Sequence, residues 1–138
     1  MDVFLDTNVL MDVFLDREPF VADSQQVWLL AERGKIRGLV SAISFPNVYY
    51  VIRKLSGVRQ ANRSMTMLRD VFVPVACDEQ AVHQAMDARF KDFEDAIQYF
   101  SAIRADADCL ISRNPKHFRT ADIPVLTPSE FLVTYDFA

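Results

Sequence analysis

The sequence has few of the residues that mark the less common classes of protein. Of its 138 residues, only two are cysteines, three are glycines and six are prolines. Cys77 and Cys109 lie far apart, which gives neither the spacing of a zinc site nor a disulfide framework and favours two buried thiols in a reducing compartment. The low glycine and proline content argues against disorder. We therefore expect one domain over residues 1–138 that folds around its own apolar core.

The sequence also has no segment suited to a membrane or to secretion. No run approaches the roughly 20 apolar residues that span a bilayer. The N-terminal Met1-Asp2-Val3-Phe4-Leu5-Asp6 lacks the basic start and long apolar core of a signal peptide. We therefore expect a cytoplasmic protein with no membrane partner. Its formal net charge is −4, so the chain as a whole lacks the basic character that is typical of nucleic-acid-binding proteins.

What is present is an alternation of short apolar runs with longer segments of helical period. The runs are almost continuously apolar, which is typical of strands buried on both faces of a parallel sheet. The predicted strands are Val3–Asp6, Gly38–Ala42, Val71–Ala76, Cys109–Ser112 and Pro124–Leu126. The predicted helices are Asn8–Leu15, Val21–Gly34, Phe45–Leu55 after an N-cap at Ser44, Arg59–Asp70, Glu79–Arg89, Phe93–Ala105 and a short one opened by Thr127-Pro128-Ser129-Glu130. This order predicts an α/β fold: a three-layer α/β/α domain with a mainly parallel sheet of about five strands.

Polar side chains follow several of the predicted strands. In a parallel α/β sheet, sites form outside the carboxyl ends of the strands, where the strand order reverses. The residues at these positions are Asp6-Thr7-Asn8, Asn47 and Ser112-Arg113-Asn114. Each also has an ordinary structural interpretation, since Asp6 would serve as a helix N-cap, Asn47 as a hydrogen bonder at a helix end, and Asn114 as a turn residue.

The helix predicted from Phe93 opens with three acids. Asp92 suits the N-cap, and Glu94 and Asp95 complement the positive end of the helix dipole, so capping alone accounts for them. However, Asp95 lies at the margin of the apolar stripe of this helix and is expected to point toward the end of the sheet. An acid in such surroundings needs a cation or another partner.

Together, Asp6, Asn47, Asp95 and Asn114 would converge at one rim of the sheet in this topology. Their carboxylate and amide oxygens are ligands that suit Mg²⁺ or Mn²⁺.

Three segments carry a family resemblance, and they span most of the chain. They are Val3-Phe4-Leu5-Asp6-Thr7-Asn8-Val9-Leu10-Met11-Asp12, Phe93-Glu94-Asp95-Ala96-Ile97-Gln98 and Ile111-Ser112-Arg113-Asn114-Pro115-Lys116-His117-Phe118. In this order they resemble the motifs of the PIN domain family, in particular its VapC-like toxin ribonuclease branch. The resemblance implies a metal-dependent endoribonuclease, often a toxin silenced by an antitoxin protein.

The resemblance also implies roles for individual residues. Asp6 and Asp95 match the catalytic acids that bind Mg²⁺ or Mn²⁺. Asn47 and Asn114 stand where many members have an acid. They still offer oxygens but bring no charge, and Glu94, as a further ligand, or Asp92 would compensate. The side chains expected to hold these ligands in place by hydrogen bonds are Thr7, Asn8 and Ser112.

RNA would be contacted by basic residues close to the site. Arg113 and Lys116 flank Asn114 within a basic stretch that ends at Arg119, and Arg53 lies on the Asn47 helix. The aromatic residues Tyr49, Tyr50, Phe72, Phe90 and Phe100 are interpreted as core or interface residues rather than as platforms for bases. The apolar helices permit a homodimer, and the two histidines, His83 and His117, are given surface or structural roles.

Two alternatives stay open at this point. Because Asn47 and Asn114 are neutral, the chain could be a PIN-fold module that binds RNA or a protein with weak or no nuclease activity. A receiver-like phosphoacceptor domain has a similar α/β order, and its third predicted strand does run into Asp78. That class needs a lysine after the fifth strand, where this chain has Thr127-Pro128, so we give this alternative little weight.

Overall fold

The computed structural model describes residues 1–118 and 122–137, and its elements follow the predicted order. The strands are β1 (Asp2–Leu5), β2 (Arg37–Ser41), β3 (Val73–Val75), β4 (Cys109–Ile111) and β5 (Val125–Leu126). The helices are α1 (Thr7–Phe14), α2 (Val21–Glu32), α3 (Ser44–Ser56), α4 (Val58–Val71), α5 (Glu79–Ala88), α6 (Phe93–Arg104) and α7 (Pro128–Thr134), with a 3₁₀ turn at Pro115–His117.

The strands form one parallel sheet in the order β3-β2-β1-β4-β5. In register, Val3 of β1 pairs with Gly38 on one side and with Cys109 on the other. After β1 the chain continues to β2 and β3 on one side, and later returns to β4 and β5 on the other. The strand order therefore reverses at β1, and Asp6, the residue that follows β1, lies at the reversal.

Helices cover both faces of the sheet, which confirms the three-layer architecture. Successive strand residues point to opposite faces, so Val3 and Leu5 belong to one apolar cluster and Phe4 to another. The first cluster joins β1 to side chains of α1, α2, α3, α4 and α7, and the second joins it mainly to α6. Burial on both faces is the reason that the strands are almost continuously apolar.

One close approach in the core requires a glycine. A Cβ atom added to Gly38 in β2 would lie 2.5 Å from a ring carbon of Phe72. That ring is buried and packs edge-on against Trp28, with ring centroids 4.9 Å apart. Gly38 thus lets the segment after α4 pack directly on the sheet.

Some predicted boundaries and caps are wrong. The third strand begins at Val73 rather than Val71, because α4 continues to Val71 and the Phe72 amide still donates to the Leu68 carbonyl at 2.9 Å. Ser44 is the first residue of α3 rather than its N-cap. Asp92 does cap α6, accepting from the Asp95 amide at 3.1 Å.

Within residues 1–118 and 122–137, no helix is both long enough and apolar enough to cross a bilayer.

Candidate functional site

Asp6 lies at the centre of the site, immediately after β1. Its backbone amide donates to the Ile111 carbonyl at 2.9 Å, which fixes the end of β1 against β4. Although Asp6 occupies the N-cap position of α1, its side chain makes no capping hydrogen bond. Instead Oδ2 accepts from the Ser112 hydroxyl at 3.0 Å, and Oδ1 is buried with no hydrogen-bond partner among the described residues.

The surroundings of Asp6 disfavour its negative charge. The residue is only 2% exposed. Burial, followed by the negative charge of Asp95, raises the pKa of Asp6 from 3.8 to about 7, and Glu94 adds to the effect while the Ser112 hydroxyl opposes it. A bound cation would stabilise a carboxylate of this kind, which is buried, has one oxygen without a hydrogen-bond partner among the described residues, and has two acidic neighbours.

Asp95 and Glu94 approach this carboxylate from the first turn of α6. The amide of Asp95 is held by the Asp92 cap, and its Oδ2 lies 3.0 Å from Nδ1 of His117. Burial raises the pKa of Asp95, and the contact with His117 partly opposes that rise. Burial and then the charges of Asp92 and Asp95 raise the pKa of Glu94.

A buried polar network lies behind the acids. The hydroxyls of Thr7 and Ser44 are 2.6 Å apart, and the Gln98 side-chain amide donates to them at 3.2 and 3.3 Å respectively. These three residues belong to α1, α3 and α6, so the network joins the helices that carry Asn8, Asn47 and Asp95. The sequence predicts Thr7 as a supporting residue and Ser44 as an N-cap, and it gives no role to Gln98.

One signal in the sequence could have identified Gln98 as a supporting residue. Gln98 follows Ala96 and Ile97 on the buried side of α6, where a fully buried polar residue needs hydrogen-bond partners.

Asn47 and Glu94 line one cleft together with Thr7 and Asn8. The cleft has a volume of about 380 Å³, and its remaining lining residues are Met11, Arg17, Tyr50 and Val51. Asn47 is exposed on the first turns of α3. The structure therefore brings these predicted residues to one opening between α1, α3 and α6.

Asn114 is connected to Asp6 through Ser112. Its backbone amide donates to the Ser112 hydroxyl at 3.2 Å, and that hydroxyl donates to Asp6. The Asn114 side chain is exposed, so it lies at the outer edge of the rim.

Arg113 is placed differently from the other predicted RNA contacts. Its Nε lies 3.2 Å from Oδ2 of Asp12, a fully buried acid of α1, and its guanidinium lies 4.6 Å above the Phe20 ring. Arg17 approaches the other oxygen of Asp12 at 3.7 Å. The charge of Arg113 is thus committed to holding the loop after β4 against α1.

Two other predicted RNA contacts, Lys116 and Arg53, are exposed to solvent. Arg119 lies outside the described residues.

The donor atoms at the rim fit a small, hard cation. They are oxygens, with two carboxylates from Asp6 and Asp95, and Mg²⁺ is commonly held by one or two carboxylates and several waters. In the described part of the chain, no group of three or more His, Cys, Asp or Glu side chains is arranged to hold a metal. Oδ1 of Asp6, which is buried and has no hydrogen-bond partner among the described residues, is the atom best placed to be a ligand.

Comparisons with known proteins identify the family of the chain. The PIN domain family profile matches residues 2–116. Ribonuclease VapC1 from Aquifex aeolicus is 31% identical over 134 residues, which cover 94% of this chain and 92% of that protein.

Solved structures with the same fold include two VapBC proteins. VapBC-1 of nontypeable Haemophilus influenzae aligns with a TM-score of 0.70 at 19% identity, covering 94% of this chain and 99% of the other. VapBC2 of Rickettsia felis, bound to a promoter DNA fragment, aligns with a TM-score of 0.68 at 16% identity, covering 91% and 97%. The matched profile, the VapC1 relative and the acid that follows β1 lead to one conclusion: the chain belongs to the PIN domain family.

Proposed function

We propose that the chain is a divalent-metal-dependent endoribonuclease of PIN type, and the toxin of a toxin–antitoxin pair in the cytoplasm. The observation that carries the proposal is the state of Asp6, which is buried, has one oxygen without a partner in the described residues, and lies close to two other acids. Its VapC1 relative is a ribonuclease.

Asp6 and Asp95 are the proposed main ligands of Mg²⁺ or Mn²⁺. When bound, such an ion lowers the pKa of a water molecule and offsets the charge of the scissile phosphate. Ser112 fixes the orientation of Asp6, and His117 fixes that of Asp95. Asn47, Asn114 and Glu94 complete the oxygen set, and Thr7 and Asn8 support it from α1.

Asp95 is also suited to orienting the attacking water. Its side chain is 13% exposed, whereas Asp6 lies deeper. With Oδ2 directed at His117, Oδ1 of Asp95 is the oxygen that would accept a hydrogen bond from a water molecule. Lys116 and Arg53 are the proposed phosphate contacts, while Arg113 would act on RNA mainly through the loop that it anchors.

A protein partner is the second part of the proposal. Leu55, Val58 and Met67 on α3 and α4 are 64%, 48% and 42% exposed, which is the kind of surface that an antitoxin or a second copy of the chain would cover. The solved structures of the same fold from Haemophilus influenzae and Rickettsia felis are VapBC proteins.

Cleavage of labelled RNA tests the enzymatic proposal. We expect wild-type protein with Mn²⁺ to cut 5′-labelled single-stranded RNA, and the Asp6→Asn/Asp95→Asn variant to leave it intact. Asp70→Asn, which removes an exposed acid of α4, is the matched control and should cut as wild type does. Equal cleavage by wild type and the double variant would refute the assignment of this site.

A second function is favoured by a specific observation. Asn47 and Asn114 contribute oxygens but no charge at positions where an acid would bind the metal more tightly, so divalent affinity is reduced. In that case the chain would be a PIN-fold module that binds RNA or a protein without cutting. If the wild type binds RNA at millimolar Mn²⁺ but does not cut it, the result would favour this function over the enzymatic one.

A further inference from the structure

We propose that the cleft between α1 and α3 binds one nucleotide of single-stranded RNA beside the acids, with Tyr50 stacking on its base and Arg17 contacting a phosphate. This inference rests on the proposed function and assigns substrate contacts to two residues that the sequence did not indicate. The cleft of about 380 Å³ is lined by both of them, together with Asn47 and Glu94 of the proposed metal site.

Tyr50 is an aromatic side chain in an unusual position. It is 65% exposed, so of the two interpretations from the sequence, core or interface, the structure excludes the core. It follows Asn47 by three positions on α3, so the two side chains share one face of the helix. Within the residues that the structure describes, its ring packs against no other aromatic ring, which leaves a face on which a base can stack.

Arg17 has a charge that can be turned toward a ligand. Its Nη1 lies 3.7 Å from Oδ1 of Asp12, which is longer than a hydrogen bond, and its side chain is 39% exposed. The other oxygen of Asp12 lies 3.2 Å from Nε of Arg113. Asp12 therefore keeps Arg113 as a cationic partner when Arg17 moves to a phosphate.

The composition of the cleft suits a single strand. Met11 and Val51 give it apolar surface, and Thr7, Asn8 and Asn47 supply hydrogen-bonding groups. The bases of a duplex are stacked on each other and present no open face to Tyr50, whereas unpaired bases stack readily on aromatic side chains. Arg17 also places a positive charge in the same cleft as Glu94, where it can contact the backbone of the strand.

Binding of a fluorescein-labelled 12-nucleotide single-stranded RNA, followed by fluorescence anisotropy in EDTA, tests this proposal. Tyr50→Ala should raise Kd by about fivefold to 150-fold, the range observed for loss of one base–aromatic stack. Tyr50→Phe keeps the ring and should bind as wild type does. Arg17→Gln should make the plot of log affinity against log salt shallower by about 0.7, since one phosphate contact is lost.

Matched controls come from exposed residues on other helices. Val133→Ala on α7 and Arg69→Gln on α4 change side chains that are 85% and 76% exposed, and both should leave affinity and salt dependence unchanged. The proposal is overturned if Tyr50→Ala binds as wild type does, or if Tyr50→Phe binds as weakly as Tyr50→Ala. It is also overturned if light scattering shows that Tyr50→Ala changes the oligomeric state while affinity per subunit is unchanged.

The same RNA with Mn²⁺ separates failure of this inference from failure of the proposed function. If the wild type binds and cuts RNA but the Tyr50 and Arg17 variants bind equally well, only the inference fails. If the wild type binds through Tyr50 and Arg17 but does not cut, the inference stands and the enzymatic proposal fails. If the wild type neither binds nor cuts, both fail.

Discussion

Replacement of Asp6 by asparagine should stabilise the metal-free protein, even though it removes the central acid of the site. Asparagine has nearly the same shape and keeps an oxygen that can accept the hydrogen bond now donated by Ser112. The substitution removes the negative charge of Asp6, a residue that is 2% exposed and lies near Asp95 and Glu94. Sites that bind substrates or metals commonly carry such destabilising charges.

The magnitude follows from the pKa of Asp6. Burial, followed by the charge of Asp95, raises this pKa from 3.8 to about 7, so the folded chain holds the proton more tightly than the unfolded chain does. The stability contributed by the proton is fully present below pH 3.8 and is lost as the pH rises to about 7. At 1.36 kcal/mol for each pH unit between these values, the loss approaches about 4 kcal/mol.

Urea unfolding in EDTA at a series of pH values measures this effect. The free energy of unfolding of Asp6→Asn should exceed that of the wild type by up to about 4 kcal/mol above pH 7, and the difference should shrink as the pH falls toward 4. Mn²⁺ should then stabilise the wild type much more than the variant, because ligand binding to the folded state adds to stability. A difference between the two proteins that is constant with pH would refute the reasoning.

Three further substitutions test other parts of the structure. Asp12→Ala should lower the free energy of unfolding by about 3 kcal/mol, because it leaves the Arg113 guanidinium without its buried partner. Gly38→Ala should lower it by about 1–3 kcal/mol, because its Cβ would overlap Phe72 in the core. Asn114→Asp should tighten Mn²⁺ binding, measured by calorimetry, by roughly tenfold, since it adds a negative charge at the rim.

Each of these substitutions has a control. Asp2→Ala breaks an exposed pair with Arg37 and should cost at most about 1 kcal/mol; an equal loss for Asp2 and Asp12 would contradict the role of burial. Combining Gly38→Ala with Phe72→Leu should recover part of the lost stability. Asn62→Asp adds a charge on α4 and should not change Mn²⁺ affinity.

The order of elements and the place of Asp6 directly after β1 could be predicted because they depend on local sequence. Continuous apolar runs indicated strands buried on both faces, and the parallel topology then placed Asp6 at the point where strand order reverses. The end of α4 was misjudged because Phe72 is apolar in either a strand or a helix end. Its packing against Gly38 decided the outcome, and that contact joins distant residues.

The supporting contacts of the site could not be predicted for the same reason. The hydrogen bond from Gln98 to Thr7 spans 91 positions, and that between His117 and Asp95 spans 22. Nothing in the local sequence distinguishes an arginine that pairs with a buried acid, as Arg113 does, from one that faces solvent. These roles are decided by which helices meet at the end of the sheet.

Anomalous diffraction from crystals soaked in millimolar Mn²⁺ tests the central claim most directly. The account predicts an anomalous peak from a manganese ion beside Oδ1 of Asp6 and the carboxylate of Asp95. The peak should be lost in Asp6→Asn crystals treated in the same way. Absence of a peak beside Asp6 and Asp95 in the wild type, with manganese bound elsewhere or not at all, would contradict the account.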